Sequence, residues 1–128
     1  MIAINPKSNN QQTIEDSIFV KGIGLHSGKE VELKLEPAEV DNGIQFIRID
    51  KKNKNIIEAI WSNVSETLLS TTISNAHGLK ISTIEHLMSA LSGLHIDNLN
   101  IYINAAEVPI MDGSSRPFVD MIEKIGIK

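Results

Sequence analysis

The chain of 128 residues contains no cysteine, which excludes disulfides and thiolate metal sites. Aromatic residues make up only 4% of it, so its core must be aliphatic and rich in Ile and Leu. It has no excess of basic charge; the formal net charge at pH 7 is -4. A nucleic-acid partner would require a basic face and is not expected. Nor is there reason to expect an anionic membrane surface as partner. No apolar run reaches the length of a membrane span, so no integral membrane segment is expected. The stretch 1–12 is polar, without the apolar centre of a signal peptide. It reads as a flexible leader ahead of one domain over 13–128. These absences fit a cytoplasmic protein.

What is present is a globular balance, 41% hydrophobic and 22% charged, in a chain long enough to bury a core. Val31, Leu33 and Leu35 alternate with Glu32 and Lys34, the pattern of a half-buried strand. Leu99, Ile101 and Ile103 alternate with Asn100, Tyr102 and Asn104 in the same way. Shorter strands are expected over about Thr13–Val20, Ile56–Ile60, Thr71–Ser74 and Leu79–Ile81. Around Phe46 and Ile47 the alternation changes phase, which reads as a bulge or a strand buried on both faces. The period then becomes helical: Ile84, Leu87, Met88 and Leu91 form one stripe, with Ser82 placed as N-cap and Gly93 as stop. A last helix is expected from about Arg116, with Pro117 in its first turn. This order implies an α+β fold, a two-layer sandwich of a mainly antiparallel sheet with two helices on one face. Leu33, Leu35, Leu87, Leu91, Leu99, Ile101, Phe118 and Ile122 should form its core.

The most informative dipeptide for chemistry is Glu85-His86. One reading is structural: Ser82-x-x-Glu85 is a capping box and His86 an ordinary surface residue. The other is catalytic. At about 100° per residue, Glu85 lies at the border of the apolar stripe and His86 points away from it. A carboxylate beside a neutral imidazole, facing outward, can be half of a metal-hydrolase site. The more specific His-Glu-x-x-His is absent. Among the other histidines, His26 follows a glycine-rich turn and suits a buried hydrogen bond. His77 falls in a turn, and His95 with Asp97 reads as structural rather than chelating. The segment Gly22-Ile23-Gly24-Leu25-His26-Ser27-Gly28-Lys29 does not match a phosphate loop, because Glu30 and a strand follow it rather than a helix.

Three segments together carry a resemblance. Gly22–Lys29, Ile81-Ser82-Thr83-Ile84-Glu85-His86-Leu87 and Pro109-Ile110-Met111-Asp112-Gly113-Ser114 are similar, in order and separation, to signatures of the UDP-3-O-acyl-N-acetylglucosamine deacetylases. These are the zinc amidases of bacterial lipid A synthesis. His95-Ile96-Asp97-Asn98 matches a fourth family segment, and the likeness runs from about residue 13 to the end. The resemblance implies a two-domain enzyme whose helical layers pack together around the active site. It implies Glu85 as general base, His86 as one zinc ligand, and Leu25, Leu69 and Ser70 as substrate contacts. The remaining zinc ligands, a His and an Asp, belong to the family's second domain, which this sequence lacks. The expected reaction is hydrolysis of the acetamide of a UDP-sugar acyl substrate, releasing acetate and a free amine. The expected partner is that second domain, in cis or as a separate chain. Without it the chain is expected to be inactive, and apolar residues flanking Glu85 and His86 are expected to stay exposed on its helical face and favour self-association. The alternative is a non-catalytic fragment or binding domain that keeps the fold.

Overall fold

The computed structural model describes residues 10–66 and 71–128. Its strands are β1 (Ile18–Ile23), β2 (Glu30–Pro37), β3 (Ile44–Arg48), β4 (Ile56–Glu58), β5 (Val64–Glu66), β6 (Thr72–Ser74), β7 (Lys80–Ser82) and β8 (Leu99–Ile103). Helix α1 spans Glu85–Gly93 and α2 spans Arg116–Ile125. Five strands form one sheet in the order β1-β2-β8-β3-β4, and three form a second in the order β5-β6-β7. Every pairing is antiparallel except β3 with β8. The fold is α+β as expected, with a second small sheet where one sheet was foreseen. No helix of the described residues is long and apolar enough to cross a membrane.

Strict alternation in β2 and β8 sends Val31, Leu33 and Leu35, and Leu99, Ile101 and Ile103, to one side. Leu87 and Leu91 of α1 and Phe118 and Ile122 of α2 close over that side, and all eight foreseen core residues are buried there. The helices touch each other, and α2 also touches β1. The opposite face of the large sheet carries Phe19, Lys34, Tyr102, Ile47 and Ile56 in one cross-strand row. The Lys34 ammonium lies 5.4 Å from the Phe19 ring centre, a cation–π distance that shields part of an otherwise exposed ring.

Three local expectations are corrected. The first strand begins at Ile18, not Thr13. Upstream, Thr13 and Glu15 bond instead to Lys128 and Gly126, and Ile14 bridges Ile127. Gln11 and Gln12 are likewise tied down, to Asp41, Asn98 and Asp97; residues 1–9 lie outside the described residues. Second, β3 pairs without a register break. The change of phase arises because Phe46 and Arg48 face inward while Ile49 is exposed. Third, Gly93 is the last residue of α1 rather than the residue after it, and His95 takes the left-handed conformation (φ 58) that turns the chain away.

The buried Arg48 is tolerated because its donors are used. Its guanidinium gives two hydrogen bonds to Asp50, at 3.1 and 2.5 Å, and one to the Lys80 carbonyl at 3.2 Å. That last bond joins the large sheet to the small one. Arg48→Ala should therefore lower stability by about 2–3 kcal/mol, the usual cost of losing charged hydrogen bonds. The midpoint of urea unfolding measures this, and a change within experimental error would refute the assigned bonding.

Candidate active site

Strand β7 leads into α1 through a tight corner. Ser82 closes the strand: its N–H donates to the Ala106 carbonyl at 2.8 Å, and its own carbonyl accepts from Val108 N–H at 3.0 Å. Thr83 then adopts φ 61 and is buried. A β-branched residue rarely takes this left-handed conformation, which costs on the order of 1–3 kcal/mol. Ile84 is the N-cap, and no side chain caps the helix. The capping box read from Ser82 and Glu85 does not form. Ser82 is consumed by sheet pairing, and its hydroxyl donates to the Ala106 carbonyl at 3.3 Å. The Thr83 corner starts the helix later than that box requires.

Glu85 and His86 thus occupy the first turn of α1, next to each other and half-buried. One carboxylate oxygen of Glu85, Oε2, is 3.4 Å from the Thr71 N–H. The other, Oε1, is shielded from solvent and has no hydrogen-bond partner among the described residues, and the same holds for Nδ1 of His86. Buried polar atoms are almost always paired, because an unmade hydrogen bond in a dry environment costs about 1–3 kcal/mol. Two adjacent exceptions single out this pair as the candidate site. An imidazole nitrogen and a carboxylate oxygen are the donor types that bind zinc, so this pair fits part of such a site. Among the described residues no three His, Cys, Asp or Glu side chains converge as a metal cluster.

The other sequence signatures converge on the same corner. Gly22 packs on Pro109 and Met111: a Cβ on it would come within 2.6 Å of the Pro109 side chain. Ile110 N–H bonds to the Ile23 carbonyl at 2.9 Å. Asp112 follows in the turn. Its carboxyl is held below its ordinary value first by the Ser114 hydroxyl and N–H. Leu25 is exposed at the tip of the glycine loop. Leu69 and Ser70 lie outside the described residues. His77 is exposed in its turn, and Asp97 bonds to the Gln12 N–H.

The residue that reading by motif missed is Glu107. It is buried, yet it is charged. Its carboxylate accepts from His26 N–H at 2.8 Å, His26 Nδ1 at 2.6 Å, Ser27 N–H at 3.2 Å and the Thr83 hydroxyl at 3.4 Å. Burial raises its pKa, but the hydrogen bonds from His26 and Ser27 outweigh this, and the net direction is downward from 4.5. The available signal was a lone acid inside the otherwise uncharged run Ala105–Met111. Gly24 approaches this carboxylate so closely that a Cβ would collide with it.

These bonds carry a pH dependence of defined sign. A carboxyl with a lower pKa folded than unfolded contributes stability that is present above its unfolded value, and loses it as pH falls through its folded value. For Glu107 that means full stabilisation at neutral pH and progressive loss below about 4.5. Asp50 behaves alike, held down chiefly by Arg48 from its ordinary 3.8. Glu107→Gln should therefore be less stable than the parent at pH 7, with the gap narrowing as pH is lowered below 4.5. Urea midpoints over pH 3–7 test this; a constant gap would contradict it.

The sequence profile of the UDP-3-O-acyl N-acetylglycosamine deacetylase family matches residues 11–128. The chain belongs to this family. It is 53% identical over 117 residues to a UDP-3-O-acyl-N-acetylglucosamine deacetylase of Hahella chejuensis, covering 91% of this chain and 38% of that protein. The namesake from Geotalea uraniireducens is 53% identical over 118 residues, covering 92% and 38%. That of Thioalkalivibrio sulfidiphilus is 49% identical over 117 residues, covering 91% and 38%. The chain therefore spans about two fifths of the length of these curated relatives. The family membership foreseen from the three signatures is thereby established.

Proposed function

We propose that this chain supplies the amino-terminal part of a zinc-dependent deacetylase that hydrolyses the acetamide of UDP-3-O-acyl-N-acetylglucosamine in lipid A biosynthesis, in the cytoplasm. The observation that carries the proposal is the unpartnered pair at the head of α1, Glu85 Oε1 beside His86 Nδ1. Family membership supports reading that pair as part of a deacetylase site. His86 would hold zinc, together with ligands from a second domain; the metal would polarise the acetamide carbonyl and acidify water. Glu85, held on the same helical turn, takes the proton of the attacking water through Oε1. Returning that proton to the departing nitrogen frees the amine and releases acetate. One turn of helix fixes base and ligand relative to each other, which lowers the entropic cost of reaching the reactive geometry. Leu25, exposed beside the site loop, is assigned to the substrate, as are Leu69 and Ser70.

Catalytic zinc takes three protein ligands, so the reading requires the second domain. This chain alone should release no acetate. Joined to the remaining length of the Hahella chejuensis relative, or mixed with it as a separate chain, it should do so. Turnover by the lone chain would overturn the two-domain reading, and a folded joined protein without turnover would favour a non-catalytic domain. The uncovered helical layer is also assigned to contact with that second domain and, without it, to self-association. Outward positions there include Ser89, Ser92, Arg116 and Asp120, and no large exposed hydrophobic of the described residues lies on either helix, so the apolar face expected there is not found. Sedimentation should show association that disappears when the second domain is supplied; a strict monomer at high concentration would refute it.

A further inference from the structure

We propose that Glu107 is a positioning residue that sets the direction of Glu85 and His86 through Thr83. The proposal rests, for its catalytic consequence alone, on the deacetylase reading above.

The first turn of α1 has no side-chain cap. Its orientation is therefore inherited from the corner before it. That corner is held from one side by the segment around Glu107: Ala106 and Val108 bond to Ser82 on either side of the Ser82–Glu107 bridge. The Glu107 carboxylate reaches the Thr83 hydroxyl at 3.4 Å. Thr83 is the residue in the unfavourable left-handed conformation, 2% exposed. Such a conformation persists only where its surroundings over-determine it. The same carboxylate is locked in place by three shorter bonds from His26 and Ser27. The glycine loop thus fixes Glu107, Glu107 and its neighbours fix the Ser82-Thr83 corner, and the corner aims the reacting pair. This chain of contacts joins the Gly22–Lys29 and Ile81–Leu87 segments at one buried charge. A neutral amide in its place could not accept from all four donors, because its nitrogen carries hydrogens of its own.

The test uses amide hydrogen exchange in the 128-residue chain. The reporters are Ile84 N–H, bonded to Thr71, and Met88 N–H, bonded to Ile84. The internal references are the amides of β2 and β8. In Glu107→Gln and in Thr83→Val, exchange at Ile84 and Met88 should rise by about tenfold or more relative to the references. Thr83→Ser, which keeps the hydroxyl, should stay within about twofold of the parent. A uniform rise across the sheet, or no change at the reporters, would overturn the proposal. Should Glu107→Gln unfold, the Thr83 pair decides it. In the joined two-domain protein, Glu107→Gln should lower kcat about tenfold or more with KM within about twofold. Turnover lost from the parent joined protein would count against the deacetylase reading and leave the exchange result to judge Glu107. A kcat unchanged by Glu107→Gln in an active parent would overturn the positioning role.

Discussion

Glu85→Ala in the joined two-domain protein should reduce acetate release by about 10²–10⁴-fold, the usual contribution of a general base, while zinc remains bound. The separation of the two readouts follows from the roles assigned. A base removes a proton from water and need not contact the metal, so its loss spares metal content. His86→Ala should behave differently and lose both zinc and turnover, because a site with two protein ligands in place of three holds zinc poorly. Both residues lie half-buried on one turn of α1, and the one bond either truncation removes among the described residues is the long one from Thr71 N–H to Glu85 Oε2 at 3.4 Å. Acetate release and metal content, measured in parallel on each variant, distinguish the outcomes. Near-normal turnover in Glu85→Ala would overturn its assignment as base. Full zinc content in His86→Ala would overturn its assignment as ligand.

The second large effect concerns the metal itself. The 128-residue chain alone should bind zinc no more tightly than about micromolar at neutral pH, and the joined protein should bind it by orders of magnitude more tightly. One imidazole and one neighbouring carboxylate fall short of the ligand set, and the described residues bring no third acid or imidazole to the cluster. Isothermal titration of the chain with zinc measures this directly, with the joined protein as comparison. A sub-micromolar stoichiometric site in the lone chain would sink the requirement for ligands from elsewhere.

Much of the fold was legible in the chain because it is written in local periodicity. The alternation of Leu33 and Leu35, and of Leu99, Ile101 and Ile103, specified which face of each strand is buried, since a strand's side chains point to opposite sides with period two. The stripe of Leu87 and Leu91, and that of Phe118 and Ile122, specified the helical faces in the same way. The Glu85-His86 pair was legible as two candidate residues, and three signatures in register were enough to place the chain in its family. These are properties of neighbours in sequence, and neighbours are what a sequence displays.

Only the tertiary structure decided the rest, because it depends on partners far apart in the chain. Ser82 has the composition of an N-cap, but Ala106 and Val108 claim its backbone, and the helix starts later. Arg48 stands at an inward position because Asp50 and the Lys80 carbonyl satisfy its charge there. Glu107 carries no recognisable motif of its own; its four donors come from residues 24 to 81 positions away. A buried charge is stable only where such donors meet it. Their meeting is set by how the glycine loop, the Thr83 corner and the segment after β8 fold together. The sequence alone determined the family and the core faces, and singled out Glu85-His86 as the candidate pair. The tertiary structure determined the buried contacts around the corner that precedes that pair, because hydrogen bonds between distant segments exist only once the sheet and helices have brought them within reach.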